Sequence, residues 1–327
     1  MSHDPNYFSS MTDSLLAEAL ALFDIQSLDT PVLCVDAPVT AARFGAESWL
    51  KFQNLSPSLD NYKFILINAG GHKVETAFII ARTAQFLKQG GGFIIAAAND
   101  VGGKSVAGLL DQFGLQYQKL HKRKHQLYFI ADLTGLKTES VENALSNGGI
   151  KKRSDGLYTM AGVFSADKID MGTEVLRDYL SEISLAGHGA DFGCGIGVLA
   201  DFILKQYKDV RAIDSIELDA RAVFCATKNL AGFNDRSIVI QADATNFKPQ
   251  KQYDFIVTNP PFHKGKMQSV SLGQSIIKQA LLCLKTGGTL YIVANVALPY
   301  ENLLVDLART VSIERQSQGF KILKVIK

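Results

Sequence analysis

The chain has 327 residues, 47% of them hydrophobic, and a formal net charge of +2. This exceeds the usual ~100–200 residues of one domain, and the near-neutral balance excludes a uniformly basic surface while leaving room for local patches. Cys34, Cys194, Cys225 and Cys283 share no CxxC spacing, so a disulfide framework and a zinc site are not expected and a reducing cytoplasm is. The start shows no signal-peptide pattern and no apolar stretch reaches the ~20 residues of a membrane span.

Taken in chain order, "TPVLCVDAPVTAARFG" offers one strand, and "KFILIN" is followed by a helix, a Gly-Gly turn and the strand "FIIAAA"; "KHQLYFI" is a further strand. The polar stretch from Asp132 to Gly156, with "SNGG" and "KKRSDG", reads as the boundary, dividing the chain into 1–147 and 148–327. Beyond it strands and helices alternate: "HGADFGCGIGVLADFILKQY", "RAIDSIELDARAVFCATKNLAGF", "SIVIQADA" and "YDFIVTN". A helix from Ser269 to Leu284 follows, ended by Gly287 and Gly288, then the strand "TLYIVANV", a helix from about Tyr300 to Arg309, and the runs "VSIERQ" and "FKILKVI" joined near Gly319. Alternation of this kind predicts a mostly parallel, doubly wound α/β sheet of seven strands closing on an antiparallel edge hairpin.

The first half repeats the second. "NAGGHKVETAFIIARTAQFLKQGGGFIIAAA" runs beside "NPPFHKGKMQSVSLGQSIIKQALLCLKTGGTLYIVAN", with Lys88 to Gly91 answering Lys285 to Gly288. Its Asn68 is followed by Ala69, Gly70 and Gly71 in place of Pro-Pro-Phe, and it has no GxGxG turn. Two tandem Rossmann-like domains are expected, the first a degenerate copy.

The turn "DFGCGIGVLA" fits a GxGxxA dinucleotide fingerprint through Gly195, Gly197 and Ala200, with Glu217 at the end of the next strand where an acid would hold a ribose. Asp191 before the turn gives the pattern DxGCGxG, which resembles the first motif of S-adenosylmethionine-dependent methyltransferases; with the glycines Gly193, Gly195 and Gly197 and with Asp243 at a third strand end, this resemblance turns the reading from a nicotinamide cofactor toward S-adenosylmethionine. Glycines there allow close approach of backbone to the cofactor, where a Cβ is expected to clash. At a fourth strand end stands Asn259-Pro260-Pro261-Phe262. The lone pair of an exocyclic amine is delocalised into its ring. The amide oxygen of Asn259 and the carbonyl of Pro260 can each accept one N–H of such an amine, turning the lone pair outward and stabilising charge that grows on nitrogen. Prolines fix φ and bring no competing N–H, and Phe262 offers a stacking face for a flipped base.

"GVFSADKIDMGTEVL", "DFGCGIGVLA", "TNPPFHKG" and "LYIVANVALPYENLL" resemble the ribosomal small subunit methyltransferase C family, guanine-N2 methyltransferases of 16S rRNA, over Gly162 to Lys327. The resemblance implies an S-adenosylmethionine-dependent enzyme methylating a guanine of 16S rRNA, at position 1207 in the usual bacterial numbering, with an N-terminal copy that has lost its cofactor site. It implies that Asp191, Gly193, Gly195 and Gly197 line the methionine end of the cofactor, Glu217 the ribose and Asp243 the adenine, while Asn259, Pro260 and Phe262 hold the guanine, flanked by Pro261, His263 and Lys264. A 23S rRNA guanine-N2 enzyme of the same tandem design is the nearest alternative. A protein glutamine methyltransferase, usually with Tyr at the fourth position, and a non-catalytic RNA-binding factor are further ones. Basic clusters at "KLHKRKHQ", with Lys122, Arg123 and Lys124, and at Lys151 to Arg153 are candidates for phosphate contact. A cytoplasmic monomer acting on 16S rRNA or the small ribosomal subunit, with no metal and no membrane partner, is expected.

Overall fold

The computed structural model describes residues 32–35, 47–48, 62–69, 72–84, 87–99, 102–122, 125–261 and 267–327. Contacts divide the chain into two compact units, Met1–Ile150 and Lys151–Lys327. The polar stretch expected to be a boundary contains a helix, Thr138–Gly148. Its Gly148 lies so close to Phe78 that an added Cβ would stand 2.3 Å from the phenylalanine's own Cβ, so packing against the first unit holds this segment helical despite its polarity. Among the described residues no helix is long and apolar enough to cross a membrane.

The second unit opens on a short antiparallel pair, β7 (Lys151–Lys152) and β8 (Tyr158–Thr159), and continues as a seven-stranded sheet. The strands of that sheet are β9 (Gly187–Phe192), β10 (Val210–Glu217), β11 (Ser237–Gln241), β12 (Tyr253–Thr258), β13 (Leu284–Asn295), β14 (Thr310–Ser317) and β15 (Phe320–Ile326). They stand in the order β11-β10-β9-β12-β13-β15-β14, the last two antiparallel. Alternate residues serve opposite faces: Leu290, Ile292 and Ala294 join a core with Ile276, Ile277 and Ala280, whereas Tyr291 and Val293 join one with Val175, Leu176 and Ile203. Both faces are therefore covered, and each fully buried Ile or Leu contributes roughly 1.5–3 kcal/mol. The edge hairpin turns through Gln318 and Gly319, whose φ values of 51° and 81° match the twist of the flanking strands.

Two expected helices have different bounds. The long one runs Met267–Cys283, and β13 begins before the glycine pair because Leu284 already partners Tyr253. The last is only Tyr300–Leu304: the amides of Leu307 and Ala308 both turn back to the Leu304 carbonyl, and Arg309 N–H is taken by the Ile326 carbonyl at the start of the hairpin.

Among the described residues the first unit has six strands, β1 (Val32–Val35), β2 (Glu47–Ser48), β3 (Tyr62–Asn68), β4 (Leu87–Ala98), β5 (Gln118–Lys122) and β6 (His125–Ile130), in the order β2-β1-β3-β4-β6-β5. Among the described residues that is the second sheet without its outermost strand, with the same parallel and antiparallel pairings. An irregularity is shared as well. Tyr62 pairs with Leu87 and Phe64 with Gly92, while Tyr253 pairs with Leu284 and Phe255 with Thr289. The same bulge at the same place makes Asn68 the counterpart of Asn259 and the chain a tandem duplication rather than two unrelated sheets.

Candidate active site

The order of the second sheet reverses between β9 and β12, which lie side by side with Phe192 opposite Thr258. Open α/β sheets bind ligands in the crevice outside the carboxyl ends of their strands at such a switch point. Here Asp191, Gly193, Gly195 and Asn259 line one cleft with Phe164, Ser165, Thr173 and Cys194.

Asp191 is 1% exposed, and neither of its carboxylate oxygens has a hydrogen-bond partner. Burial pushes its pKa up to about 7; the Ala200 amide acts the other way without closing a hydrogen bond to either oxygen, and the charge of Glu217 adds to the rise. A buried carboxylate without partners is costly unless a cation comes to meet it.

After Asp191 the chain makes its glycine turn. The amides of Gly193 and Cys194 are tied to the Ile216 carbonyl at 2.9 and 3.1 Å. Gly193 and Gly195 have φ of 74° and 55°, and a Cβ on either would meet no protein atom within 4 Å. The clash expected from sequence is thus not with protein: these positions need glycine for their left-handed backbone, and the missing side chains leave space in the cleft. Gly197 starts the helix Val198–Gln206, where a Cβ would press on Leu230.

Glu217 does more than its strand-end position suggested. Its Oε2 accepts from the Gly195 amide at 2.9 Å, and Oε1 accepts from the amides of Leu218 and Asp219 at 2.7 and 2.9 Å. Burial still raises its pKa, against these three hydrogen bonds. The side chain therefore braces the glycine turn from β10, and of the roughly four acceptor positions of a carboxylate about one is left for a ligand. Asp243, just beyond β11, has Oδ1 engaged by the amide and hydroxyl of Thr245 at 2.8 and 2.7 Å.

Asn259 follows β12. Its Nδ2 donates to Asp170 Oδ2 and to Thr173 Oγ1, each at 2.9 Å. Because a carboxylate only accepts, the amide nitrogen must face Asp170, and this fixes the direction of the oxygen. That oxygen, Oδ1, is buried with no partner. Asp170 caps the helix Met171–Leu180, accepting from the Thr173 amide at 3.2 Å, and its own amide donates to Ser165 Oγ at 3.1 Å. Sequence reasoning did not single out Asp170 or Thr173; the signal was an Asp-x-x-Thr cap preceding an amphipathic helix. Pro260 is buried.

In the first unit the position of Pro260 is held by Ala69, whose amide donates to the Ala96 carbonyl at 2.8 Å. Proline cannot make that bond. Phe262, His263 and Lys264 lie outside the described residues, as do Arg123 and Lys124 and the side chain of Lys122, which is the last residue of β5 and pairs with His125. Arg153, expected among phosphate contacts, is instead 9% exposed: it pairs with Asp155 and donates to the Ser165 carbonyl, so it braces the cleft wall. Lys151 stays at the surface, 3.5 Å from Asp167.

A doubly wound sheet with a glycine turn after its first strand, an Asn-Pro-Pro string at the switch point and an edge hairpin defines a methyltransferase. Residues 156–324 match the family model described as "Methyltransferase small domain". Within that class the chain belongs to the ribosomal RNA small subunit methyltransferase C family. It is 31% identical over 261 residues to the member from Alteromonas mediterranea, covering 79% of this chain and 71% of the relative. To the member from Psychromonas ingrahamii it is 29% identical over 276 residues, covering 82% and 78%. Among solved structures, a T. thermophilus 16S rRNA N2 G1207 methyltransferase in complex with AdoMet and guanosine shares the fold with a TM-score of 0.72, over 91% of this chain and 88% of that one, at 18% identity.

Proposed function

We propose that this chain methylates the exocyclic N2 of a guanine in 16S rRNA, position 1207 in the usual bacterial numbering, as a cytoplasmic monomer using S-adenosylmethionine. The observation that carries the reading is a pair of buried acceptors lining one cleft, the partnerless Asp191 carboxylate and the partnerless Asn259 Oδ1. The first suits the ammonium of an amino-acid moiety and the second an N–H of the target amine.

The residues fit the cofactor. Asp191 would take its ammonium, Gly193 and Gly195 would let its methionine end lie against backbone, the free acceptor position of Glu217 would take a ribose hydroxyl and Asp243 the adenine amine. When bound, the cofactor supplies an electrophilic methyl group on a sulfonium. The chain's own part is to orient the nucleophile. Asn259 Oδ1 accepts one hydrogen of the guanine amine and the Pro260 carbonyl the other, so the nitrogen lone pair is directed outward and the positive charge developing on nitrogen meets two fixed dipoles. The methylated nitrogen is acidic enough to release its proton to water. Phe262 is assigned to stacking, and Pro261, His263 and Lys264 to the pocket rim.

The test is to map guanine methylation on rRNA from cells lacking the gene. Loss of one N2-methyl from 16S rRNA, restored by complementation, is expected. Loss from 23S rRNA instead, or from neither, would overturn the substrate assignment.

For the first unit we assign docking on rRNA through Lys122, Arg123 and Lys124. Reversing all three to Glu is expected to weaken binding of the ribosomal substrate and to flatten its salt dependence by roughly two in the log–log slope, because fewer counterions are released. Cofactor affinity stays unchanged. A binding titration at several salt concentrations that shows the original slope would remove this cluster from the interface.

A further inference from the structure

Phe164 is an apolar side chain 53% exposed to solvent, on the wall of the cleft that holds Asp191 and Asn259. A single exposed phenylalanine is unremarkable in itself. This one, however, is held where it is by several devices. The next residue, Ser165, has φ of 61°, a left-handed backbone that is strained for a non-glycine residue and persists only when its surroundings enforce it. Those surroundings are the Arg153 guanidinium, which donates to the Ser165 carbonyl, and the Asp170 amide, which donates to Ser165 Oγ. Arg153 is itself locked by Asp155. The same Asp170 orients Asn259. An aromatic ring is thus kept out of the core, on the wall of the same cleft as a buried, partnerless carboxylate.

We infer that Phe164 is a charge-selective wall of the cofactor site, whose ring favours the positively charged sulfonium form of the cofactor over its neutral thioether product. The inference rests on the cofactor assignment above. An aromatic ring attracts a cation through its quadrupole, by an amount equal to about a two- to thirty-fold change in affinity as the site becomes drier. The neutral thioether gains only the ring's apolar contact. The ring therefore helps to load the substrate form and to release the product after methyl transfer.

The experiment is calorimetric titration of the full chain with S-adenosylmethionine and, separately, with S-adenosylhomocysteine. Phe164→Leu keeps an apolar side chain of similar bulk without a ring, Phe164→Met does the same should the leucine variant fold poorly, and Phe164→Tyr keeps the ring. For the leucine or methionine variant, affinity for the charged cofactor is expected to fall about two- to thirty-fold further than affinity for the neutral product, with the tyrosine variant close to wild type. Equal losses for both ligands would make Phe164 a plain apolar wall and overturn the inference, as would no loss for either. Failure of the wild-type chain to bind either ligand would overturn the cofactor assignment instead, so the two failures are distinguishable.

Discussion

Replacing Asn259 by alanine is expected to lower the rate of methyl transfer by about 10²–10³-fold, the ~2.7–4 kcal/mol typical of losing one preorganised polar contact to a transition state, while cofactor affinity stays within a few fold. The expectation follows from how the side chain is held. Its nitrogen is spent on Asp170 and Thr173, and its oxygen is buried without a partner, so the only task open to that oxygen is to accept from a ligand. The reorganisation needed to aim it has been made during folding. Alanine removes the acceptor and also leaves Asp170 without one donor, although Asp170 still caps Thr173, so the helix start survives. Asn259→Asp is expected to be no better than alanine, since a carboxylate there would face the carboxylate of Asp170. Single-turnover rates on the ribosomal substrate, alongside calorimetric cofactor binding, check both parts. Near-normal turnover in the alanine variant would remove Asn259 from the mechanism.

The placement of Asp191, Glu217, Asp243 and Asn259 at or near the carboxyl ends of four strands was legible in the sequence, because each is a residue type that a buried strand would not choose. The duplication was legible too, since Lys88 to Gly91 and Lys285 to Gly288 mark the same bulge in two sheets. What could not be read was the second layer of contacts. Asp170 meets Asn259 across 89 positions of sequence, and Arg153 reaches Ser165 across 12; only the packed fold brings them together. Arg153 also shows why a basic run misleads. In "KKRSDG" the three cations look alike, yet Lys151 and Lys152 are exposed while Arg153 is buried, held by Asp155 and by the Ser165 carbonyl. The place of Glu217 at a strand end was legible, but its hydrogen bond from the Gly195 amide depends on the path of a turn 22 residues earlier in the chain.

Asp191→Asn is expected to abolish cofactor binding and, above neutral pH, to make the protein more stable. The wild-type carboxyl is buried without partners, and its pKa rises from 3.8 to about 7. A raised carboxyl pKa means that the folded state holds its proton where the unfolded chain has already lost it. Stability therefore falls as pH rises through the interval from about 4 to about 7, and is level beyond. The change from 3.8 to about 7 amounts to roughly 4 kcal/mol at about 1.4 kcal/mol per pH unit. Asparagine has the same shape and no charge to bury. Its own unpaired amide costs about 1–3 kcal/mol, which leaves a net gain on the order of 1–3 kcal/mol at pH 8 that turns into a net loss of about 1–3 kcal/mol as pH falls toward 4 and only the amide cost remains. Thermal melts of both proteins across this range measure it. The same linkage acts on the ligand: an ammonium placed beside Asp191 favours the ionised carboxylate, so below neutral pH cofactor binding to the wild type releases a proton, visible as a binding enthalpy that depends on the ionisation heat of the buffer. A stability difference between the two proteins that does not vary with pH, or normal cofactor binding by the asparagine variant, would contradict the assignment of Asp191 as the partner of the cofactor's positive charge.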